Sequence, residues 1–304
     1  MFCLLKSNLI SILDFSKEQQ KSLFNLADQR NLLFSQYDHS LEKKVLGTFF
    51  FQPSTRTQFS FQSAFVRLGG HYIGCSDINN TRSGPPYYES ISDMGTILSN
   101  YCDIIVMRTI DDLQTVQMVK GSCVPVISAG SGNIEHPTQA LTDLYTIYKY
   151  FGELTGHEIL IIGTPRQRTI NSFIKGMSLW GKNNFHILCQ AGIEVPTNVK
   201  KHLGESTVKY YHTWDNIWQN DIAKNISIVY IDKIFSETHR CTDFIPLKDD
   251  FVSHINQDTL ILHPLPRTAE LPLFMDELSG ASYFSQAKNG LYIRAALFLQ
   301  YLVL

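Results

Sequence analysis

Four consecutive residues, Ser54-Thr55-Arg56-Thr57, bring three hydroxyls and a guanidinium to one point in the chain. There the aromatic run Phe49-Phe50-Phe51 gives way, through Gln52 and Pro53, to an amphipathic stretch. A strand ending near Phe51 and a Ser or Thr N-cap predict a helix start at Ser54 or Thr55. The N–H groups of a first helical turn have no intrahelical acceptor, and the helix dipole favours negative charge beside them. Hydroxyls and a planar guanidinium fork suit phosphate among the common anions. An ordinary helix cap with a solvent-facing arginine is the plainer alternative for this stretch taken alone.

Two further clusters extend the chemistry. In Glu135-His136-Pro137-Thr138-Gln139, His136 and Gln139 stand three apart at a helix start and so share a face. Imidazole and carboxamide could together grip a carbonyl oxygen and an amide nitrogen. In Leu262-His263-Pro264-Leu265-Pro266-Arg267, two prolines remove backbone donors and force an extended loop after an apolar run. Such a loop presents carbonyl oxygens, which suit an –NH2 group. Taken together, the clusters describe a ligand with phosphate at one end and a carboxamide at the other.

Short β-rich apolar runs position these clusters. They fall at 45–51, 71–75, 103–107 and 124–128, then at 158–163, 185–189, 207–211, 226–231 and 259–263. Most are separated by enough chain for a helix, which predicts an α/β fold of two doubly wound parallel-sheet domains. Residues 136–150 read as a linking helix, with Leu141, Leu144, Ile147 and Tyr148 on one stripe. The run from Asn289 to Leu304 reads as a terminal helix packing back on the first domain. The expected division is 1–135 with the C-terminal helix 288–304, the linking helix 136–150, and 151–287. An amphipathic first helix is expected within residues 1–16. Residues 76–90, with Gly84, Pro85 and Pro86 among polar neighbours, read as a loop.

The bulk composition removes several classes. The chain has 304 residues, 44% hydrophobic and 18% charged, with a net charge of -2. It carries no global basic field for nucleic acid and no apolar run of the ~18 residues a membrane span needs. Cysteines 3, 75, 102, 123, 189 and 241 show neither CxxC nor zinc-finger spacing, which fits reduced thiols in a cytoplasmic protein. The strand exit Leu160-Ile161-Ile162-Gly163 has one glycine, too few for a dinucleotide fingerprint. No cofactor and no metal are expected.

The stretches 49–64, Val106-Met107-Arg108-Thr109, 135–143 and 262–267 resemble the aspartate/ornithine carbamoyltransferases over nearly the whole chain, in that family's order. His263-Pro264-Leu265-Pro266 is similar to the aspartate branch; ornithine enzymes usually have cysteine after the histidine. The resemblance implies that Ser54, Thr55, Arg56 and Thr57 bind the phosphate of carbamoyl phosphate. It implies that Arg108 reaches phosphate and carbonyl oxygen, and that His136 and Thr57 polarise the carbonyl. Gln139 and the carbonyls of Leu265 and Pro266 would hold the carbamoyl nitrogen, and Arg168 would bind a carboxylate of L-aspartate. It further implies a homotrimer with shared active sites. Association with a regulatory chain or a dihydroorotase is the further partnership considered with it.

Three departures stand beside the resemblance. The family loop that reaches a neighbouring site carries a serine and then a lysine; here Ser83 and Glu89 fit, but Tyr87 takes the lysine's place. Arg82 is the only cation from 76 to 90 and is a candidate substitute. The family's aspartate-binding R-x-Q is replaced by Lys233 and Phe235, so the charge is kept without the planar fork. Gln52, Gln58 and Gln62 stand where charged residues are common. The expected activity is carbamoyl transfer to aspartate. A carbamoyltransferase for another amine and a non-catalytic subunit are the alternatives.

Overall fold

A computed structural model describes residues 8–218, 222–233, 247 and 250–304, except for the side chain of Asn31. The described chain forms two compact units: one runs up to Leu141 and includes Gly290–Leu304, the other is Thr142–Asn289.

The first unit is built on β1 (Val45–Phe50), β2 (His71–Cys75), β3 (Ile104–Thr109) and β4 (Val126–Ser131), all parallel, in the order β2-β1-β3-β4. β3 and β4 are buried at every position, whereas the edge strand β2 is exposed along most of its length. Burial on both faces is what a continuous apolar run signifies in a parallel sheet. Phe49, Phe51, Ile105, Met107 and Met118 fill one core. In the same unit, Phe298 of the C-terminal helix meets Phe61 and Phe65 edge-on, at ring separations of 5.8 and 4.8 Å. The terminal helix therefore belongs to the first unit's core. Gln62 Nε2 donates to Thr48 Oγ1 and Ser76 Oγ donates to Gln58 Oε1, so these glutamines tie the helix Thr55–Arg67 to β1 and to the end of β2.

The second unit carries β5 (Glu158–Ile162), β6 (Asn184–Leu188), β7 (Thr207–Tyr211), β8 (Ile228–Ile231) and β9 (Leu260–Leu262), parallel, in the order β7-β6-β5-β8-β9. Its core includes Leu160, Ile162, Trp214, Val229, Phe251 and Ile261. All nine apolar runs are strands.

Two expectations need correction. Residues 8–16 hold no α-helix: Leu9 bridges to Ile127, a 3-10 turn covers Ile12–Asp14, and the first α-helix is Lys17–Asp28. Capping boxes at Ser11–Asp14 and Ser16–Gln19 set those limits, because each satisfies the amide donors that a continuing helix would have used. The terminal helix starts at Tyr283, ahead of Asn289. The linking helix is Pro137–Phe151, with Leu141, Leu144 and Ile147 buried, and from Leu141 to Ile147 its polar positions are buried as well. Its polar residues are buried with partners: Asp143 accepts from Tyr230 Oη and Gln286 Nε2, and Thr146 accepts from Asn289 Nδ2. In sequence such residues look like a solvent face.

Candidate active site

In an open parallel sheet, ligands collect beyond the carboxyl ends of the strands, where the strand order reverses. In the first unit that point lies between β1 and β3, and it carries Gln52 to Thr57 on one side and Arg108 on the other. β4, next to β3, leads into His136 and Gln139. The topology thus gathers three of the sequence clusters at adjacent strand ends.

The helix Thr55–Arg67 begins at Ser54, whose carbonyl accepts from the Gln58 amide but whose hydroxyl caps nothing. Among the described residues, the amides of Thr55, Arg56 and Thr57 have no acceptor. Nor do the hydroxyls of Ser54, Thr55 and Thr57 or the Arg56 guanidinium have a partner there. A helix N-terminus with this many unengaged donors can receive a multivalent anion. Arg108 is 7% exposed and sits in register with Phe50; its Nε donates to Gln52 Oε1 at 3.1 Å.

His136 is 4% exposed. The Gln139 amide donates to the His136 carbonyl at 3.1 Å and is shared with its Nδ1 at 3.3 Å, which favours an unprotonated Nδ1 and a ring proton on Nε2. The imidazole is therefore a hydrogen-bond donor at Nε2, as a group that polarises a carbonyl must be. Glu135 sets its approach. Its carboxylate accepts from Ser11 Oγ at 2.8 Å and from the Ile12 amide at 2.9 Å. The Glu135 carbonyl accepts from the Ser131 amide at 3.2 Å, closing a turn through Gly132 at φ +45°.

The loop 76–90 contains a 3-10 turn at Ile78–Asn80. Ser83 is buried, and its hydroxyl donates to Met94 Sδ at 3.4 Å instead of joining the unengaged donor set. Arg82 is exposed and lies 4.1 Å over the Tyr87 ring, which is itself 63% exposed. Side-chain stacking thus joins the only cation of that stretch to the residue that replaces the lysine.

In the second unit the order reverses between β5 and β8. Arg168 opens the helix Arg168–Trp180 after β5, Lys233 follows β8, and Leu265 and Pro266 follow β9, beside β8. Asp232, 2% exposed, joins the first two elements: its carboxylate accepts from Thr169 Oγ1 and from the Lys233 amide. Burial pushes the Asp232 pKa up, against the lowering effects of Thr169, His263 and the Lys233 amide. Phe235 lies outside the described residues.

The Leu265–Pro266 peptide is cis and Leu265 has φ +57°. Among the described residues, neither of their carbonyl oxygens accepts a hydrogen bond. Sequence reasoning singled out Leu265 and Pro266 but gave no role to His263, Glu270, Asp232 or Glu135. A signal was available for three of them: His263 and Glu135 lie inside quoted motifs, and Asp232 follows a strand end. Nothing in the spacing marks Glu270. The described residues include no cluster of side chains suited to a metal ion and no helix long and apolar enough to cross a membrane.

Fold and donor sets together define a two-unit α/β protein with a set of unengaged donors at the strand ends of the first unit. Residues 7–149 match the aspartate/ornithine carbamoyltransferase carbamoyl-P binding domain, and residues 155–301 match the Asp/Orn binding domain of the same family. The aspartate carbamoyltransferase catalytic subunit of Clostridium kluyveri is 36% identical over 303 residues, covering 97% of each chain. That of Clostridium acetobutylicum is 35% identical over 298 residues, covering 95% of this chain and 96% of its own. Aspartate transcarbamoylase of Trypanosoma cruzi, with carbamoyl aspartate and phosphate, has the same fold at a TM-score of 0.87 and 24% identity, covering 97% of this chain and 96% of that one. This chain belongs to the aspartate/ornithine carbamoyltransferase family.

Proposed function

We propose that this chain transfers the carbamoyl group of carbamoyl phosphate to the amino group of L-aspartate. The observation that carries the reading is the unengaged donor set at Ser54 to Thr57, on a chain whose relatives are named aspartate carbamoyltransferases.

In this reading Ser54, Thr55, Arg56 and Thr57 hold the phosphate, and Arg108 spans phosphate and carbonyl oxygen. His136, through Nε2–H, and Thr57 polarise the carbonyl. The carboxamide of Gln139 and the carbonyls of Leu265 and Pro266 take the carbamoyl nitrogen. Arg168 and Lys233 receive the aspartate carboxylates. The amine nitrogen bonds to the carbamoyl carbon and an oxyanion forms. The carbon–oxygen bond to phosphate then breaks, and the phosphate leaves with the amine proton. This division needs no metal and no covalent enzyme intermediate. Preorganised donors at the oxyanion are each worth roughly 10²–10³ in rate. Ser83, as an aid to phosphate binding, would have to leave Met94.

Transfer to a different amine is the second reading. Asp232 favours it, because a buried carboxylate next to Lys233 opposes an incoming dicarboxylate. Phosphate release with L-aspartate against a panel of amines separates the two. We extend the first reading to a homotrimer in the cytoplasm supplying carbamoyl aspartate for pyrimidine synthesis, supported by family membership. Sedimentation of the purified chain tests the trimer.

A further inference from the structure

The loop after β9 holds a leucine at φ +57°, a backbone conformation that costs a residue with a Cβ. What holds it there is a buried polar set. The Leu265 amide donates to His263 Nδ1 at 2.8 Å. A backbone N–H can only donate, so Nδ1 is unprotonated and the proton lies on Nε2. Nε2 then donates to Glu270 Oε1 at 3.1 Å. The same carboxylate accepts the Thr268 amide at 2.8 Å on Oε1 and the Thr268 hydroxyl on Oε2. Behind the loop, the His263 amide donates to Gln286 Oε1 at 2.9 Å, and Gln286 Nε2 donates to Asp143 Oδ1 at 2.6 Å. Tyr230 Oη completes the set on Asp143 Oδ2 at 3.0 Å. His263, Glu270 and Gln286 are each 1% exposed, and Asp143 and Tyr230 are 0% exposed.

A buried, fully bonded set of this size is not the simplest way to stabilise a fold. Apolar residues of the same shape often serve as well or better. What this set controls is the loop it surrounds. The two carbonyls there accept nothing among the described residues, while Pro266 is exposed.

We propose that His263 and Glu270 are positioning residues: by clamping Leu265 in its left-handed conformation they aim the Leu265 and Pro266 carbonyls at the –NH2 of the carbamoyl group. The inference rests on the carbamoyl phosphate reading above. It gives the buried pair a role in choosing between two ligands that share a phosphate: carbamoyl phosphate has the –NH2 and inorganic phosphate does not.

The test is calorimetric titration of the full chain with each ligand, for wild type, H263A, H263N and E270Q, with thermal melting as a check on folding. In H263A, carbamoyl phosphate affinity is expected to fall about ten-fold, the scale of a lost hydrogen-bonded set. Affinity for inorganic phosphate is expected to stay within about two-fold, since the phosphate donors are untouched. H263N keeps an acceptor near the Nδ1 position and is expected to recover part of the loss. E270Q, which keeps the shape of Glu270, is expected to lose several-fold in the same selective way if H263A does not fold. A folded variant that keeps the wild-type preference for carbamoyl phosphate overturns the inference, as does an equal loss for both ligands. A wild type that binds the two ligands equally overturns the carbamoyl phosphate reading itself, and the inference with it.

Discussion

Arg108 and Gln52 are joined across neighbouring strands: Nε of the arginine donates to Oε1 of the glutamine at 3.1 Å, just beyond the register pair Phe50 and Arg108. The guanidinium is thereby anchored at its Nε end. Gln52 contributes an amide oxygen here, which orients the arginine without placing a negative charge beside it.

Gln52→Ala is expected to lower kcat/KM for carbamoyl phosphate about ten-fold, in line with ~1.5–3 kcal/mol for a hydrogen bond to a charged group less what water restores. Steady-state phosphate release over a range of carbamoyl phosphate concentrations measures it. An unchanged kcat/KM would mean that Arg108 is held by its other contacts.

His136→Ala should remove two things at once. Loss of Nδ1, which shares the Gln139 amide with the residue-136 carbonyl, should cost at most about 1 kcal/mol of stability. Loss of the Nε2–H donor should lower kcat by about 10²–10³. Urea unfolding reads the first effect and saturating turnover the second. A variant that loses stability but keeps kcat would reduce His136 to a helix cap.

Much of this arrangement is legible in the sequence. Strands buried on both faces print as unbroken apolar runs, and the exposed to half-buried edge strands β2 and β7 are legible instead by their β-branched and aromatic residues. The clusters after Phe51 and before Gln139 lie where strand signals stop. The legible parts are short-range. Glu135 is tied to Ser11 and Ile12, and Asp143 to Tyr230 and Gln286, by bonds between residues far apart in the chain. Buried polar residues of this kind look like exposed ones in a hydropathy pattern. On the helix Pro137–Phe151 such residues, Thr142, Asp143 and Thr146, are buried beside the apolar stripe.

Asp232 should oppose stability at neutral pH. Burial raises its pKa above the ordinary 3.8, so the unfolded chain ionises first as pH rises. Stability is highest below that ordinary value, falls as pH climbs toward the raised folded value, and stays reduced above it. Asp232→Asn keeps an acceptor for the Lys233 amide and removes the charge. Its melting temperature at pH 7 is expected to exceed wild type by roughly 2–4 °C, and its KM for L-aspartate to fall. A lower melting temperature at pH 7 would show that the ionised form is the favoured one.

Glu270 should act in the opposite sense. Burial alone would raise its pKa, but hydrogen bonds from His263, from the Thr268 hydroxyl and from the Thr268 amide hold it down to about 2, against an ordinary 4.5. The carboxylate therefore contributes stability above about pH 4.5, on the order of 3 kcal/mol, and loses it as pH falls toward 2. The stability gap between wild type and Glu270→Gln is expected to be widest near pH 6 and to narrow as pH falls below 4.5. Urea unfolding across that range follows the gap, and a constant gap would contradict the account.

The most direct measurement is phosphate release by the purified chain with carbamoyl phosphate and L-aspartate, beside a panel of other amines, for wild type and Arg56→Ala. The account predicts turnover with L-aspartate in wild type and a fall of about 10²–10³ in the variant. Turnover only with another amine, or none with any amine in a folded chain, would contradict it.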